Sequence, residues 1–307
     1  MFKHVQNTSI STYLFVCLMS LNACQQAQQN HYEPAYSSQA PAKQTTEYII
    51  GIHPLHNPKR LHEVFGPIAN YLTKNIPGAR FKIEASRNYA SFDKKLYSGQ
   101  FHFALPNPFQ TVQSLKHGYS VFGKMADDYN FRGIFLVRKD SNIKNVSDLK
   151  GTSISFPAPT ALAATMMPQY YLQTHGLNVM QDITIKYVGS QESSIMNVML
   201  GNTSAGATWP PPWKALSKER PQLSDELKII WETEPLINNG LVVRHDIDEN
   251  IRNQVSVLLF SLHTHAEGQK WLAKMELSQF EAASNQTYDP ILDFLKEFNS
   301  KVRPVEI

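Results

Sequence analysis

Two thiols occur in the chain, Cys17 and Cys24, and the second closes the run Leu21-Asn22-Ala23-Cys24, a spacing that suits cleavage before the cysteine and acylation of its sulfur. Lys3 and an apolar stretch from Tyr13 to Leu21 precede it. That stretch is too short for a bilayer, which needs ~20 apolar residues. An ordinary secretory signal with an incidental cysteine is the alternative. His53, His56 and His62 are the histidines whose grouping suggests a metal, but their spacing across a proline turn fits no zinc pattern and no cysteine can join them. They are expected to be solvated loop residues, as are His263 and His265. Asn107-Pro108 follows an expected strand, where the Asn107 amide donates into a cleft or simply shapes a turn. Trp209-Pro210-Pro211-Pro212-Trp213 reads as a stiff polyproline-like loop holding two indoles, which either wall a cleft or cap the core. No Walker loop, nucleophile elbow, zinc spacing or close carboxylate pair occurs, so the sequence is not read as an enzyme, and neither cofactor nor metal is expected.

Cleavage before Cys24 leaves no cysteine pair, so no disulfide is available and the core alone must hold the fold. Hydrophobic content of 42% and charged content of 18% suit a soluble globular chain. Of the formal charge of +3, Lys3 lies in the leader, which leaves 3 − 1 = +2. Without clustered Lys and Arg, nucleic-acid binding is excluded as a reading.

Residues 1–23 are taken as a lipoprotein signal and 24–46, rich in Gln, Ala, Ser and Pro, as a disordered tether. A strand is expected at Tyr48–Ile52, a helix where Leu61, Val64, Phe65, Ile68 and Leu72 repeat at three and four, a strand at 81–85, a helix at 89–97 and a strand at 101–105. The second block repeats the alternation, with strands at 134–137, 153–156, 183–188 and 205–207 and helices at 161–175 and 193–200. A helical tail follows. This is an α/β chain of two lobes, assigned as 47–133 with 239–307 for lobe one and 134–238 for lobe two, and a cleft is expected where strand carboxyl ends face each other.

From Gly51 to about Phe298 the chain resembles the phosphate/phosphite/phosphonate-type solute-binding proteins of ABC importers. The resemblance rests on Gly51-Ile52-His53-Pro54, Phe65-Gly66-Pro67-Ile68-Ala69-Asn70-Tyr71-Leu72, Asn88-Tyr89-Ala90, Val146-Ser147-Asp148-Leu149-Lys150-Gly151, Gly189-Ser190-Gln191-Glu192 and Tyr288-Asp289-Pro290, met in that order. It implies a type II periplasmic-binding-protein-like fold with two hinge crossovers, an interlobe ligand and no catalysis. Phosphonate binders of this family carry Ser-Thr-Ser-Gly at a helix start; the matching positions here are Ala161-Leu162-Ala163-Ala164, with Thr160 and Thr165 flanking them. The hydroxyls are lost while the backbone amides remain.

The resemblance also nominates Tyr89 as a cleft wall with a hydroxyl to donate, Phe131 where aminophosphonate binders place a tyrosine, Gln191 where a histidine is common, and Asn239 where an acid meets an ammonium group. Glu192 would repel an anion unless paired, and Arg132 is a candidate partner for one. The ligand set is thus Tyr89, Asn107, Phe131, Thr160, Ala161, Thr165, Gln191, Trp209 and Asn239. On this reading the protein is a monomeric extracytoplasmic, lipid-anchored receptor that delivers a small oxyanion to a permease and ATPase; the open alternative is a ligand sensor signalling to a membrane kinase or cyclase. Methylphosphonate and 2-aminoethylphosphonate should bind weakly, and Tyr89→Ala should weaken binding with little loss of stability.

Overall fold

The structure is a computed structural model that describes residues 45–305; the leader, Cys24 and the tether up to residue 44 lie outside the described residues. Strand β1 (Thr46–Ile52) leads into helix α1 (Pro58–Asn75), whose Leu61, Val64, Phe65, Ile68, Ala69 and Leu72 form one buried stripe. Asn57 caps that helix by accepting the Arg60 N–H, and Pro58 takes its first turn. Strand β2 (Ala79–Ala85), helix α2 (Tyr89–Tyr97), strand β3 (Phe103–Leu105), helix α3 (Pro108–Ser114) and strand β4 (Tyr119–Met125) complete the first run.

The chain then enters strand β5 (Ile134–Arg138), strand β6 (Ser153–Phe156), a π-helical turn at Leu162–Met166 continuing into helix α4 (Met167–Thr174), and strand β7 (Thr184–Tyr187). Helix α5 (Gln191–Met199), strand β8 (Ala205–Thr208), helices α6 (Pro210–Glu219) and α7 (Gln222–Glu226) and strand β9 (Leu227–Glu232) follow. The return passes through strand β10 (Gly240–Arg244), helices α8 (Glu249–Phe260) and α9 (Ala266–Lys274), strand β11 (Phe280–Ala282) and helix α10 (Asp289–Lys301).

Two sheets result, a six-stranded one in the order β11-β4-β10-β3-β1-β2 and a five-stranded one in the order β7-β6-β8-β5-β9. β1 is parallel to β2 and β3, and β6 is parallel to β7 and β8. β10 runs antiparallel to β3, and β5 antiparallel to β8. Antiparallel pairing therefore sets the first residues of β10 and β5 level with the carboxyl ends of their parallel neighbours. The chain crosses between sheets at 126–133 and again at 233–239.

Three sequence expectations change. The Trp209–Trp213 segment is no polyproline loop: Trp209 precedes α6, and Pro210, Pro211 and Pro212 fill its first turn. First-turn amides have no intrahelical acceptor, so three prolines cost no hydrogen bond there. Asn107-Pro108 is likewise no mere turn but the capped start of α3, with a reciprocal bond between Asn107 and Gln110. Finally, His53 and His56 are buried at 3% and 6% exposure rather than solvated, while His62 is exposed as expected. The turn after β1 folds inward because the His53 Nδ1–H donates to the Leu105 carbonyl, 2.8 Å away.

Candidate functional site

A cavity of about 10 Å3, room for roughly one water, lies between the sheets, lined by His53, Tyr89, Asn107, Phe131, residues 161–164, Gln191, Trp209 and Asn239. Strand ends, helix starts and the first crossing supply these residues. His53 comes just after β1, Asn107 just after β3 and Trp209 just after β8; Asn239 directly precedes β10. Phe131 lies on the first crossing and the Ala161 segment follows β6, while Tyr89 and Gln191 are the first residues of α2 and α5. Open α/β sheets bind ligands at such carboxyl edges.

Of the residues proposed from the sequence, Tyr89, Asn107, Phe131, Ala161, Gln191, Trp209 and Asn239 meet at this cavity. Thr160 and Thr165 are not among its lining residues. The Thr160 carbonyl accepts from Asn107 Nδ2 at 2.9 Å and its hydroxyl bonds to Asp93. Thr165 is fully buried with a hydroxyl that lacks a partner. Arg132 pairs with Glu232 at 2.6 Å. Glu192 accepts from Asn57 Nδ2. Sequence reasoning missed His53 as a cavity residue, because nothing local distinguishes a turn histidine that folds inward.

The polar groups are wired directionally. The Thr208 hydroxyl donates to Gln191 Oε1 at 2.9 Å, and Gln191 Nε2 donates to the Tyr89 oxygen at 3.3 Å. That leaves the Tyr89 proton free to donate onward, and burial lifts the Tyr89 pKa well above its ordinary value, so the proton stays. Asn239 is fully buried with Oδ1 unpartnered and Nδ2 on the Met125 sulfur at 3.4 Å. A thioether is a weak acceptor, so turning this amide costs little.

At the Ala161 segment the first backbone bond is Met166 N–H to Ala161 oxygen, five residues back. The N–H groups of Leu162, Ala163, Ala164 and Thr165 therefore have no acceptor within the helix, and they carry its positive end. Gly133 lets the first crossing pass close by: a Cβ there would sit 2.6 Å from the Ala163 oxygen. Phe131 and Trp209 meet edge to face at 5.4 Å, closing an apolar wall. Among the described residues, none that lines the cavity carries a fixed charge, and no cluster of His, Cys, Asp and Glu is arranged for a metal.

Two α/β lobes, two crossings and a small polar cavity at the facing strand ends define a type II periplasmic binding protein. Residues 50–288 match the model of the family described as ABC transporter, phosphonate, periplasmic substrate-binding protein. The chain belongs to that family, whose members are binding components and not enzymes. It is 24% identical over 189 residues to a probable ABC transporter phosphite binding protein, PhnD1, of Prochlorococcus marinus (strain MIT 9301), a match covering 57% of this chain and 63% of that relative. The chain thus spans less than two thirds of the relative it matches. The fold is similar to that of the same PhnD1 in complex with methylphosphonate, at TM-score 0.76 and 20% identity over 84% of this chain and 99% of that one. A binding component of an ABC phosphonate transporter from Pseudomonas aeruginosa gives TM-score 0.76 and 17% identity over 82% and 87% of the two chains.

Proposed function

We propose that the protein is an extracytoplasmic receptor, anchored through an acylated Cys24, that captures a small phosphorus oxyanion between its lobes and delivers it to an ABC permease and its ATPase. The observation that carries this reading is the cavity itself: Tyr89, Gln191 and Asn107 beside a helix start with unpaired amides, with no carboxylate on the lining. Fixed dipoles of this kind hold an anion without a counter-ion. The loss of hydroxyls at Ala161–Ala164 and the apolar Phe131–Trp209 wall favour phosphite over larger phosphonates. Asn239 in place of an acid disfavours ligands that carry an ammonium group.

A thermal-shift series tests it, because a bound ligand raises the melting point by mass action. Phosphite is expected to shift the transition most, methylphosphonate less and 2-aminoethylphosphonate least. A null result with all phosphorus oxyanions, or a larger shift with 2-aminoethylphosphonate than with phosphite, would overturn the assignment. In the same strain background, Cys24→Ser should move the protein from the membrane to the soluble fraction.

A further inference from the structure

We infer that His53 is a specificity residue of this cavity, an acceptor that takes the O–H of a singly protonated oxyanion and so selects the hydrogen-carrying monoanion. The inference rests on the oxyanion reading above and refines it. Its geometric basis is the 2.8 Å contact between His53 Nδ1 and the Leu105 carbonyl. A carbonyl oxygen only accepts, so Nδ1 must hold the proton, and in the neutral ring Nε2 is then a bare lone pair. Among the described residues Nε2 has no hydrogen-bond partner, and His53 is a lining residue of the cavity.

The surroundings keep the ring neutral. Burial lowers its pKa to about 4, opposed only by the bond to Leu105. The groups packed around it add no counter-charge: Tyr89 stands edge-on at 6.2 Å and keeps its proton, Phe92 stands at 6.3 Å, and His56 is itself lowered to about 3 by burial, with Arg60 beyond it. Two acids lie near, and neither lines the cavity: Asp93, raised to about 6 by burial, is bonded to Gln110 and Thr160, and Glu192 accepts from Asn57. Phe131 and Trp209 are apolar walls, Tyr89 and the helix-start amides donate, and the Asn239 amide can turn to donate. A fully deprotonated oxyanion would therefore leave Nε2 facing an oxygen lone pair, an unmatched buried contact. A ligand with one O–H satisfies both sides.

Inorganic phosphite and hypophosphite separate this role from general packing. Below the second ionisation of phosphite both are monoanions with a P–H bond, but only phosphite has an O–H. In the wild type, calorimetry in buffers of differing ionisation enthalpy should find uptake of about one proton per phosphite above that ionisation, with affinity falling about tenfold per pH unit. Hypophosphite should bind without proton uptake. His53→Phe should cost phosphite about tenfold more affinity than it costs hypophosphite, since both ligands feel the lost Leu105 bond but only phosphite loses an acceptor for its O–H. Equal losses for both ligands in the variant, a flat phosphite profile in the wild type, or proton uptake with hypophosphite would each overturn the inference, the last because the ring itself would then be charging. Should His53→Phe not fold, His53→Asn takes its place, since its Nδ2 can donate to the Leu105 carbonyl while the Nε2 acceptor is lost, and it should show the same selective loss. Absence of phosphite binding at every pH would overturn the oxyanion reading itself, and this inference with it.

Discussion

Tyr89 turns the hydrogen-bond chain from Thr208 through Gln191 into a directed donor, and its ring is buried at 3% exposure beside His53. Tyr89→Phe removes the hydroxyl, both the donor to the ligand and the oxygen that accepts from Gln191, and keeps the ring packing. A hydrogen bond to an anion is worth about 2 kcal/mol, so a roughly thirtyfold loss of phosphite affinity is expected by calorimetry, with a melting transition lowered modestly by the unpaired Gln191 amide. Tyr89→Ala, which the sequence alone offers as the cleaner test, would instead excavate the core at about 3–5 kcal/mol, because the ring is interior. The buried titrating side chains set a pH dependence of stability. His53 and His56 titrate in the fold at about 4 and about 3, below an unfolded value of ~6.5, so the unfolded chain takes their protons first and stability is lost as pH falls from about 6.5. Asp93 runs the other way: raised to about 6 in the fold, it relieves a destabilising charge as pH falls from about 6 to about 4. The losses at His53, His56 and His102, which burial also lowers, outweigh the one gain at Asp93, so stability falls as pH falls between about 6 and 4, by ~1.4 kcal/mol per pH unit for each net proton. Urea unfolding over that range should recover a fall of this sign in the wild type and a shallower one in His53→Phe.

At the scale of elements, the parts of the chain that could be read from sequence were those with a strong period. The α1 stripe from Leu61 to Leu72, α2 at Tyr89–Tyr97 and α9 at Ala266–Lys274 fall where apolar spacing places them. Strands β4 and β11 left no such mark. Tyr119–Met125 mixes glycine, lysine and serine with its apolar residues, and Phe280–Ala282 is three residues long; each is defined by a neighbour far away in the chain. The same reason hid the inward turn at His53, whose anchor, Leu105, is 52 residues on. The prolines of α6 misled because their first-turn role depends on the helix that follows them. Gly133 shows how one element restrains another. Gly133→Ala would press its Cβ on the Ala163 oxygen and the Pro168 ring, at a cost of about 1–3 kcal/mol. A melting point lowered by roughly 4–8 °C is expected for about 2 kcal/mol, together with weaker phosphite binding, since the displaced carbonyl belongs to the helix start that lines the cavity.

Across the whole molecule, contacts reach from one lobe to the other on both sides of the cavity. On one side Arg60 pairs with Glu219, Lys218 with Glu276, and Asn57 donates to Glu192. On the other, the segment after α10 reaches over, with Arg303 donating to Gln169 at 3.1 Å and to the Pro159 carbonyl at 2.7 Å. Partly exposed pairs of this kind contribute about 0.2–1 kcal/mol each and are screened by salt. They favour the shut arrangement, so Glu219→Gln should raise the dissociation constant for phosphite about two- to fivefold, and added sodium chloride should narrow the gap between variant and wild type. A variant that binds as tightly as the parent at low salt would show that the pair is a bystander. The meeting of Trp209 with Phe131 has a practical corollary. An indole set edge-on to a phenyl ring in the wall of a small chamber changes its emission when polarity around it changes, so the protein carries an intrinsic optical gauge of occupancy that needs no attached dye.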